Sequence, residues 1–471
     1  MIIYYLLDIA NRRSVGFTEL AAHGAEFDGG LMKKYIKTAM CAMLAALLVI
    51  PAILGGCGLF SDSTIYAKVS EGNVSPAGFI YSLYENGDAE ITGLKTDGVF
   101  PDLSGSGSEN TWTECHLVIP DTVDSHPVTA IGADAFRENS ALMYLTIGKN
   151  VKKIARSAFE SCPALICIDG GAALEEIGDS AFSYCVSLCR IDTLPSLRAI
   201  DSAAFFGCTA LSRFPRADKL ASVGSQAFFG CTLLAEVRLP QSCTSLGRSA
   251  FEECTSLTYV DLGGVCEIPD SAFSGCISLV NAEFNKKTTS LGTLSFRGCS
   301  RLAAPALPGG VKTIDCRAFE GSKWLDDNSD EFVIVGDGIL IRYNGTDANV
   351  EIPRGVKVIA DAFSGNTVIR SVTIGGNVQR IDSYAFGGCT ALGRAVISGN
   401  VKEIGEGAFG GCTTLSVLYL PASLGSVGKA AFGNCPNLTS VNFGGSAGKW
   451  NKINIASGNT ALGSVVCGSK P

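Results

Sequence analysis

The sequence predicts a repeat solenoid, in which about 14 short coils stack and each contributes a strand to one parallel sheet. The first observation is a phenylalanine, usually after a small residue, that recurs every 22 or 23 residues with one doubled gap of 44. These phenylalanines are Phe136, Phe159, Phe182, Phe205, Phe228, Phe251, Phe273, Phe296, Phe319, Phe363, Phe386, Phe409 and Phe432. A fixed period of this length is typical of solenoids, because no single coil can bury its apolar face alone.

Other positions keep step with each phenylalanine. An aliphatic residue precedes most of them by five positions, and leucine or another aliphatic follows at six, nine and eleven. In most coils a cysteine follows by three positions, and Asn139, Ser322 and Asn366 take its place in the others. These cysteines are Cys162, Cys185, Cys208, Cys231, Cys254, Cys276, Cys299, Cys389, Cys412 and Cys435. Alternation from eight to eleven positions after each phenylalanine predicts a strand that stacks in parallel on its neighbours.

Composition and charge restrict the classes of function. Hydrophobic residues make up 46% of the 471 residues and charged residues 17%, which is apolar enough to fill a large core. The net charge of −8 argues against a nucleic-acid partner, because phosphate neutralisation needs a basic face. The histidines are only His23, His116 and His126, which leaves few groups for acid–base chemistry near neutral pH.

An N-terminal segment predicts export across a bacterial membrane. A basic stretch from Met32 is followed by an apolar run from Ala39 to Leu54 and then by Gly-Gly-Cys57, the order of a secretory signal peptide. The run is short for a membrane span of about 20 residues. The tetrad ending at Cys57 resembles a bacterial lipobox, which implies a lipid-anchored, extracellular chain; a plain export signal or an uncleaved anchor is the alternative. Residues 1–31 suggest a start codon assigned too early, or else a genuine extension.

The repeat itself resembles a known family. The coils Ile154–Ile168 and Leu246–Leu262 read I/L-x-x-x-A-F-x-x-C-x-x-L-x-x-I/V, similar to the BspA-like leucine-rich repeats of bacterial surface lipoproteins. The resemblance covers residues from about 79 to 467. It implies a leucine-rich-repeat right-handed coil with a parallel β-sheet face, in a non-catalytic protein that binds host proteins, matrix components or other microbes.

The register and the resemblance together divide the chain into segments. The segments are 1–31, a mis-assigned start extension; 32–57, the signal peptide and lipobox; 58–78, a tether; 79–130, an N-terminal capping repeat; 131–322, the first repeat block; 323–349, a hairpin-like island; 350–443, the second block; and 444–471, a closing half-repeat. Within the island, Asn344-Gly345 lies between apolar runs and predicts the hairpin turn.

The cysteines admit two interpretations. Nineteen cysteines in an exported chain would ordinarily indicate disulfides. The ten that share one coil position, which we call the thiol ladder, favour buried free thiols that satisfy backbone groups instead. Oxidation between neighbouring rungs is the alternative. A metal site is disfavoured, because a ladder sets ligands in a row rather than around a point.

Motifs for catalysis or cofactor binding are weak. Gly444–Gly448 fits G-x-S-x-G, but no histidine follows Ser446 in the chain. The acidic run Asp326–Glu331 begins like a calcium loop, yet it lacks the turn glycine and the final glutamate, so a solvated loop is the simpler interpretation. His116 and His126 fall in the capping repeat, and Ser104–Ser108 is linker-like. We therefore expect no catalytic residue, metal or cofactor.

What remains is the outward side of the predicted sheet. Tyrosines, arginines and acids alternate there, and tyrosine and arginine are enriched in binding hot spots. We call this set the ligand-face stripe: Tyr144, Arg190, Arg213, Glu236, Arg238, Tyr259, Asp261, Asn281, Glu283, Arg394 and Tyr419. The leading hypothesis is a cell-surface adhesion or binding protein with a protein or glycan ligand and a membrane anchor at Cys57. A structural spacer without a specific ligand is the alternative, and a hydrolase is the remote one.

Overall fold

The computed structural model describes residues 67–95, 115–303, 305–315 and 317–469. The chain divides into two units, Met1–Tyr66 and Ala67–Pro471, and every described residue belongs to the second. The predicted extension, the signal peptide with Cys57, and the linker-like segment 104–108 therefore lie outside the described residues.

The described chain consists mostly of short strands. In chain order they are β1 (Lys68–Val74), β2 (Phe79–Tyr84), β3 (Ala89–Leu94), β4 (Cys115–Val118), β5 (Thr122–Val123), β6 (His126–Ile131), β7 (Leu142–Ile147), β8 (Lys153–Ile154), β9 (Cys167–Gly170), β10 (Glu176–Ile177), β11 (Arg190–Ile191), β12 (Ala199–Ile200), β13 (Ser222–Val223), β14 (Glu236–Arg238), β15 (Ser245–Leu246), β16 (Tyr259–Asp261), β17 (Glu267–Ile268), β18 (Asn281–Glu283), β19 (Ser290–Leu291), β20 (Thr313–Ile314), β21 (Phe332–Val335), β22 (Ile339–Tyr343), β23 (Asn349–Glu351), β24 (Val358–Ile359), β25 (Ser371–Ile374), β26 (Arg380–Ile381), β27 (Arg394–Ile397), β28 (Glu403–Ile404), β29 (Val417–Leu420), β30 (Ser426–Val427), β31 (Ser440–Phe443), β32 (Asn454–Ile455) and β33 (Val465–Cys467). Two one-turn helices, α1 (Lys323–Asp326) and α2 (Ala447–Trp450), and a 3-10 helix at Thr460–Leu462 accompany them.

One wall of the solenoid is a parallel sheet, which we call the sheet face. Its strands pair in the orders β4–β7–β9–β11, β14–β16–β18 and β23–β25–β27–β29–β31–β33. In β14, Val237 is buried while Glu236 and Arg238 are exposed, so side chains alternate between core and solvent. Most of these strands begin eight positions after a core phenylalanine, as β27 does after Phe386. The predicted solenoid with a parallel sheet is confirmed.

A second ladder of two-residue strands lines another wall. Ile154, Ile177 and Ile200 pair in register across β8, β10 and β12, and all three side chains are buried. These are the aliphatic residues found five positions before each phenylalanine. Two residues are too few to show strand alternation, so the sequence predicts only one strand in each coil.

The repeated phenylalanines form the third wall, which we call the phenylalanine wall. In the first block, from Phe136 to Phe319, successive ring centroids lie 5.1–5.5 Å apart with interplanar angles of 2–17°. In the second block, from Phe363 to Phe432, the spacing is 4.7–5.3 Å. The rings are almost completely buried. One continuous aromatic stack therefore fills each block on this side.

A repeated backbone turn holds each ring in place. The residues two positions before and two after nearly every core phenylalanine have left-handed backbone, as Ser180 (φ 56°) and Tyr184 (φ 61°) do around Phe182. This conformation directs alternate amides along the solenoid. The amides of Ser180, Phe182 and Tyr184 donate to carbonyl oxygens of the next coil, at 2.9, 2.8 and 2.7 Å respectively. Three hydrogen bonds on this wall therefore join a regular coil to the next.

Side-chain oxygens take over where a block has no next coil. The Phe432 amide donates to Asn459 Oδ1 at 3.0 Å, and the Asn459 side chain donates to two backbone carbonyl oxygens at 2.8 Å each. At the end of the first block, the Arg317 amide donates to the Asp361 carboxylate at 2.9 Å, across 44 positions of sequence. Both amides thus keep a partner where the regular coil-to-coil bond is missing.

The N-terminal cap begins earlier than predicted. Lys68–Val74, which the sequence assigned to the tether 58–78, forms β1 and pairs antiparallel with β2. Strand β2 pairs antiparallel with β3, and β3 pairs in parallel with β6, which begins the short-strand ladder. The segment KVSEGNV contains glycine and no regular alternation, so its strand character comes from its partner rather than from its own pattern. The predicted extent of the tether is therefore wrong for these residues.

The island between the blocks contains an antiparallel hairpin of β21 and β22. Its turn lies at Gly336–Gly338, not at Asn344-Gly345 as predicted, and the latter pair follows β22. Both turn glycines have left-handed backbone, with φ of 54° and 81°, a conformation that glycine adopts at least cost. At the end of β22, the Tyr343 ring lies 5.0 Å from Phe363 and takes the place of the missing core phenylalanine.

One buried hydroxyl predicts a stabilising substitution. Ser295 precedes Phe296 where neighbouring coils have Ala272 and Ala318; it is fully buried and its Oγ has no hydrogen-bond partner among the described residues. Ser295→Ala removes an unsatisfied polar group without opening a large cavity, so we expect the free energy of unfolding to rise by about 1 kcal/mol. Urea unfolding followed by circular dichroism measures this change. The reverse substitution, Ala272→Ser, is the matched control and should destabilise the chain; equal midpoints for both variants would contradict the argument.

Candidate ligand-binding face

The structure places the ligand-face stripe on the solvent side of the sheet face, with one member in a break between strands. Six of its residues are exposed, and four are half-buried against neighbouring strands. The exposed ones are Arg190, Glu236, Arg238, Asn281, Glu283 and Arg394, and the half-buried ones are Tyr144, Tyr259, Asp261 and Tyr419. Arg213 is exposed but lies outside any strand.

Register brings part of the stripe together. Across β14, β16 and β18, Glu236 pairs with Tyr259, which pairs with Asn281. In the same way Arg238 pairs with Asp261, which pairs with Glu283. These six side chains form two adjacent rows on one surface. Tyr144 lies on β7, and Arg394 and Tyr419 lie on the sheet of the second block, so they do not join this cluster.

Arginine and tyrosine contact one another in both blocks. The Arg238 guanidinium lies 4.4 Å from the centroid of the Tyr259 ring and 3.4 Å from the Glu236 carboxylate. In the second block, the Arg394 guanidinium lies 5.0 Å from the centroid of the Tyr419 ring. Burial and the nearby Glu283 carboxylate raise the pKa of Tyr259, so its hydroxyl stays protonated at neutral pH. These contacts restrict the conformations of long, flexible side chains.

Sequence reasoning missed the break in the sheet face, which we call the sheet interruption (Ser212–Ala217). No strand forms there, although strands β11 and β14 lie in the flanking coils. Pro215 has no amide hydrogen for a ladder, and the Phe214 ring packs toward the core, 5.2 Å from the Phe228 ring. The proline inside a predicted strand was the signal that could have revealed the break.

The sheet interruption forms a depression with a volume of about 810 Å³. Its apolar lining residues include the half-buried Phe214 and the buried Pro215 and Leu239. Polar residues around them include three arginines and two acids. These are Arg213, Arg216, Arg238, Asp218 and Glu236. Arg216 lies 3.8 Å from Asp218, whereas Arg213 makes no hydrogen bond or ion pair with any residue the structure describes.

The thiol ladder makes a repeated hydrogen bond. All ten ladder cysteines are buried, and each Sγ donates to the carbonyl oxygen of the phenylalanine in the preceding coil at 3.0–3.2 Å. Asn139 and Asn366 hold this position in the first coil of each block and accept from local amides instead. Burial raises the pKa of Cys299 and of Cys435 to about 12, so their thiols remain donors at neutral pH.

The weaker motifs have ordinary surroundings. His116 Nε2 lies 2.8 Å from Thr146 Oγ1, and His126 Nδ1 lies 2.9 Å from a backbone carbonyl oxygen. Ser446 precedes α2 in the closing half-repeat. In the acidic run, Asp326 belongs to α1 and pairs with Arg342 at 3.0 Å. Across the described ranges, no group of three or more histidine, cysteine or acidic side chains is arranged to hold a metal ion.

Within the part of the chain that the structure describes, no helix is both long and apolar enough to span a bilayer.

Comparison with known proteins identifies the repeat. The BspA type leucine rich repeat region matches residues 109–235, 198–326 and 343–456, in six copies. No functionally curated protein matches the chain. A leucine-rich repeat protein from Bacteroides ovatus is 24% identical, and the match covers 81% of this chain and 90% of that one with a TM-score of 0.42. A leucine rich cell surface protein from Faecalibacterium prausnitzii is 22% identical, with 83% and 98% covered and a TM-score of 0.36.

The matched residues make up more than half of the sequence, and they coincide with the coils whose phenylalanines, cysteines and aliphatic residues fill the core. This chain belongs to the BspA-type leucine-rich repeat family.

Proposed function

We propose that this chain is a non-catalytic, lipid-anchored surface protein that binds a macromolecule through the ligand-face stripe. The ligand is a protein or glycan of a host, of an extracellular matrix or of another microbe. The observation that carries the proposal is the pairing of arginine with tyrosine on the exposed sheet face of both blocks, Arg238 with Tyr259 and Arg394 with Tyr419.

The physical argument is one of preorganisation. An arginine that already rests on an aromatic ring loses less conformational freedom on binding than a free one does. Both residue types also dominate the energetics of protein interfaces. Among the described residues, an arginine lies over a tyrosine ring only on the sheet face. The stripe is therefore the surface on which we expect a ligand to bind.

The anchoring part of the proposal rests on sequence alone. The basic stretch, the apolar run and the tetrad ending at Cys57 fit an exported lipoprotein. We expect palmitate labelling of the wild-type chain in a bacterial host, and loss of the label in Cys57→Ser. Labelling that persists in Cys57→Ser would contradict anchoring at this residue.

Binding is tested with the chain from residue 58 onward on arrays of matrix proteins and glycans. We expect at least one ligand whose signal falls about tenfold or more in the double variant Arg238→Glu, Arg394→Glu, because reversed charges oppose the contacts. Arg248→Glu is the control, since Arg248 is exposed but precedes Phe251 outside the sheet face. Absence of binding on every array would favour a spacer without a specific ligand, whereas binding that is insensitive to the stripe would contradict the assignment of the ligand to this surface.

A further inference from the structure

In a solenoid, the residues that recur in every coil are those needed for the coils to stack. A coil whose solvent-facing residues depart from this pattern therefore has a feature that stacking does not explain. The sheet interruption is such a departure. Its flanking coils carry the paired strands β11 and β14, whereas its own residues at the strand position are Arg213, Phe214 and Pro215.

The interruption leaves hydrogen-bond donors free. The amides of Arg213 and Phe214 make no hydrogen bond with another described residue, although amides at the strand position in regular coils belong to the ladder. The Arg213 guanidinium is also unpaired among the described residues. Unsatisfied donors at one place favour a ligand that is rich in acceptors.

Charge at the depression points to an anion. Three arginines face two acids there, on a chain whose formal net charge is −8. Arg238 is paired with Glu236 at 3.4 Å and Arg216 with Asp218 at 3.8 Å, so each acid occupies only part of one guanidinium and Arg213 has no acidic partner among the described residues. Guanidinium groups form their strongest hydrogen bonds with carboxylates and similar planar anions.

From these contacts we infer that the sheet interruption docks an extended, acidic segment of a protein ligand. Carbonyl oxygens of the segment accept from the free amides of Arg213 and Phe214, and an acidic side chain pairs with the Arg213 guanidinium. An aliphatic side chain beside it packs against the half-buried Phe214. This inference rests on the proposed function and specifies the ligand as a polypeptide.

A polypeptide matches the depression better than an acidic glycan does. Every backbone unit of a polypeptide carries a carbonyl oxygen, so one segment can supply acceptors to both free amides. Alternate side chains of such a chain point to opposite sides, so an acid and an apolar residue can be placed against different parts of the lining. A sugar acid supplies the carboxylate but not the regular carbonyl row.

The test uses fluorescence anisotropy with a short fluorescein-labelled peptide of alternating glutamate and valine, added to the chain from residue 58 onward. We expect binding that weakens about tenfold in Arg213→Ala, the loss typical of one charge-assisted hydrogen bond. Arg248→Ala removes the same exposed charge elsewhere and should leave the affinity unchanged. A peptide in which glutamine replaces glutamate should bind weakly to all variants.

Three outcomes would overturn the inference: no binding of the acidic peptide, equal affinity in wild type and Arg213→Ala, or displacement of the peptide by polygalacturonate at a concentration where polyglutamate has no effect. The first two remain distinguishable from failure of the proposed function. If an array ligand is lost in the Arg238→Glu, Arg394→Glu variant but retained in Arg213→Ala, the stripe binds a ligand and the interruption does not.

Discussion

Phe228→Ala should lower the free energy of unfolding by about 4 kcal/mol, the cost typical of truncating a fully buried aromatic residue. The Phe228 ring lies between the rings of Phe205 and Phe251, with centroids 5.1 and 5.3 Å away. Removing it leaves a cavity inside a stack whose neighbours are fixed by three backbone hydrogen bonds per coil, so collapse into the gap is restricted. Equilibrium urea unfolding, followed by circular dichroism, measures the effect.

The adjacent residue provides a control for this substitution. Phe229 has the same side chain but is half-buried, and its ring stacks on Phe206 at 4.8 Å outside the core. Phe229→Ala should cost less than half as much. Because coils contact only their neighbours, Phe228→Ala should also separate unfolding into two transitions. A single unfolding transition, with equal losses of unfolding free energy in Phe228→Ala and Phe229→Ala, would show that the buried phenylalanine stack does not stabilise the contact between coils.

Cys254→Ala should lower the free energy of unfolding by about 2 kcal/mol, since it removes both buried volume and a hydrogen-bond donor. The Cys254 Sγ is fully buried and donates to the Phe228 carbonyl oxygen at 3.2 Å. Without the thiol, this carbonyl oxygen loses that donor in a place that water does not reach. The same urea experiment gives the value.

Two further substitutions separate volume from hydrogen bonding. Cys254→Ser keeps a donor of similar size, and Cys254→Val keeps apolar volume without a donor. We expect the serine variant to be the more stable of the two. The opposite order would mean that the ladder cysteines act as small hydrophobic residues and that their bonds to the phenylalanine carbonyl oxygens contribute little.

The sequence was sufficient to predict the solenoid, because its signal repeats. A phenylalanine in register with aliphatic residues is weak evidence once, but thirteen registered copies exclude a compact domain with a single core. Strands eight to eleven positions after each phenylalanine follow from alternation that recurs in most coils. Repetition thus averages out the local ambiguity that limits sequence-based prediction of single strands.

Features without a pattern of their own were missed. The short-strand ladder has two residues per coil, too few for alternation to appear. Left-handed backbone occurs at residues as different as Ser180, Tyr184 and Leu294, so it is set by the turn around the phenylalanine rather than by residue type. Strand β1 depends on its partner β2. The hairpin turn was predicted at the Asn344-Gly345 pair, but the chain turns at Gly336–Gly338, where two glycines adopt left-handed backbone on either side of Asp337.

Exposure of the stripe could be predicted, but its contacts could not. Positions eight and ten after a phenylalanine point outward in any coil with this register. Whether Arg238 rests on Tyr259 depends on side-chain rotamers and on the alignment of two coils. The sheet interruption was missed because the residue pattern of a strand is present there although no strand forms. Arg213 fitted the outward pattern, and Pro215 two positions later was the only sign that no strand forms there.

Asn459 and Asp361 give the array a property that its regular coils lack. Each side chain accepts a hydrogen bond from a backbone amide at the end of a block, where the next coil would otherwise supply the acceptor. The interior coils therefore do not depend on their position within the block. Duplication or loss of one whole unit in the gene would leave both terminations intact. The number of units in each block can therefore change in evolution without redesign of the end of that block, and with it the length of the array.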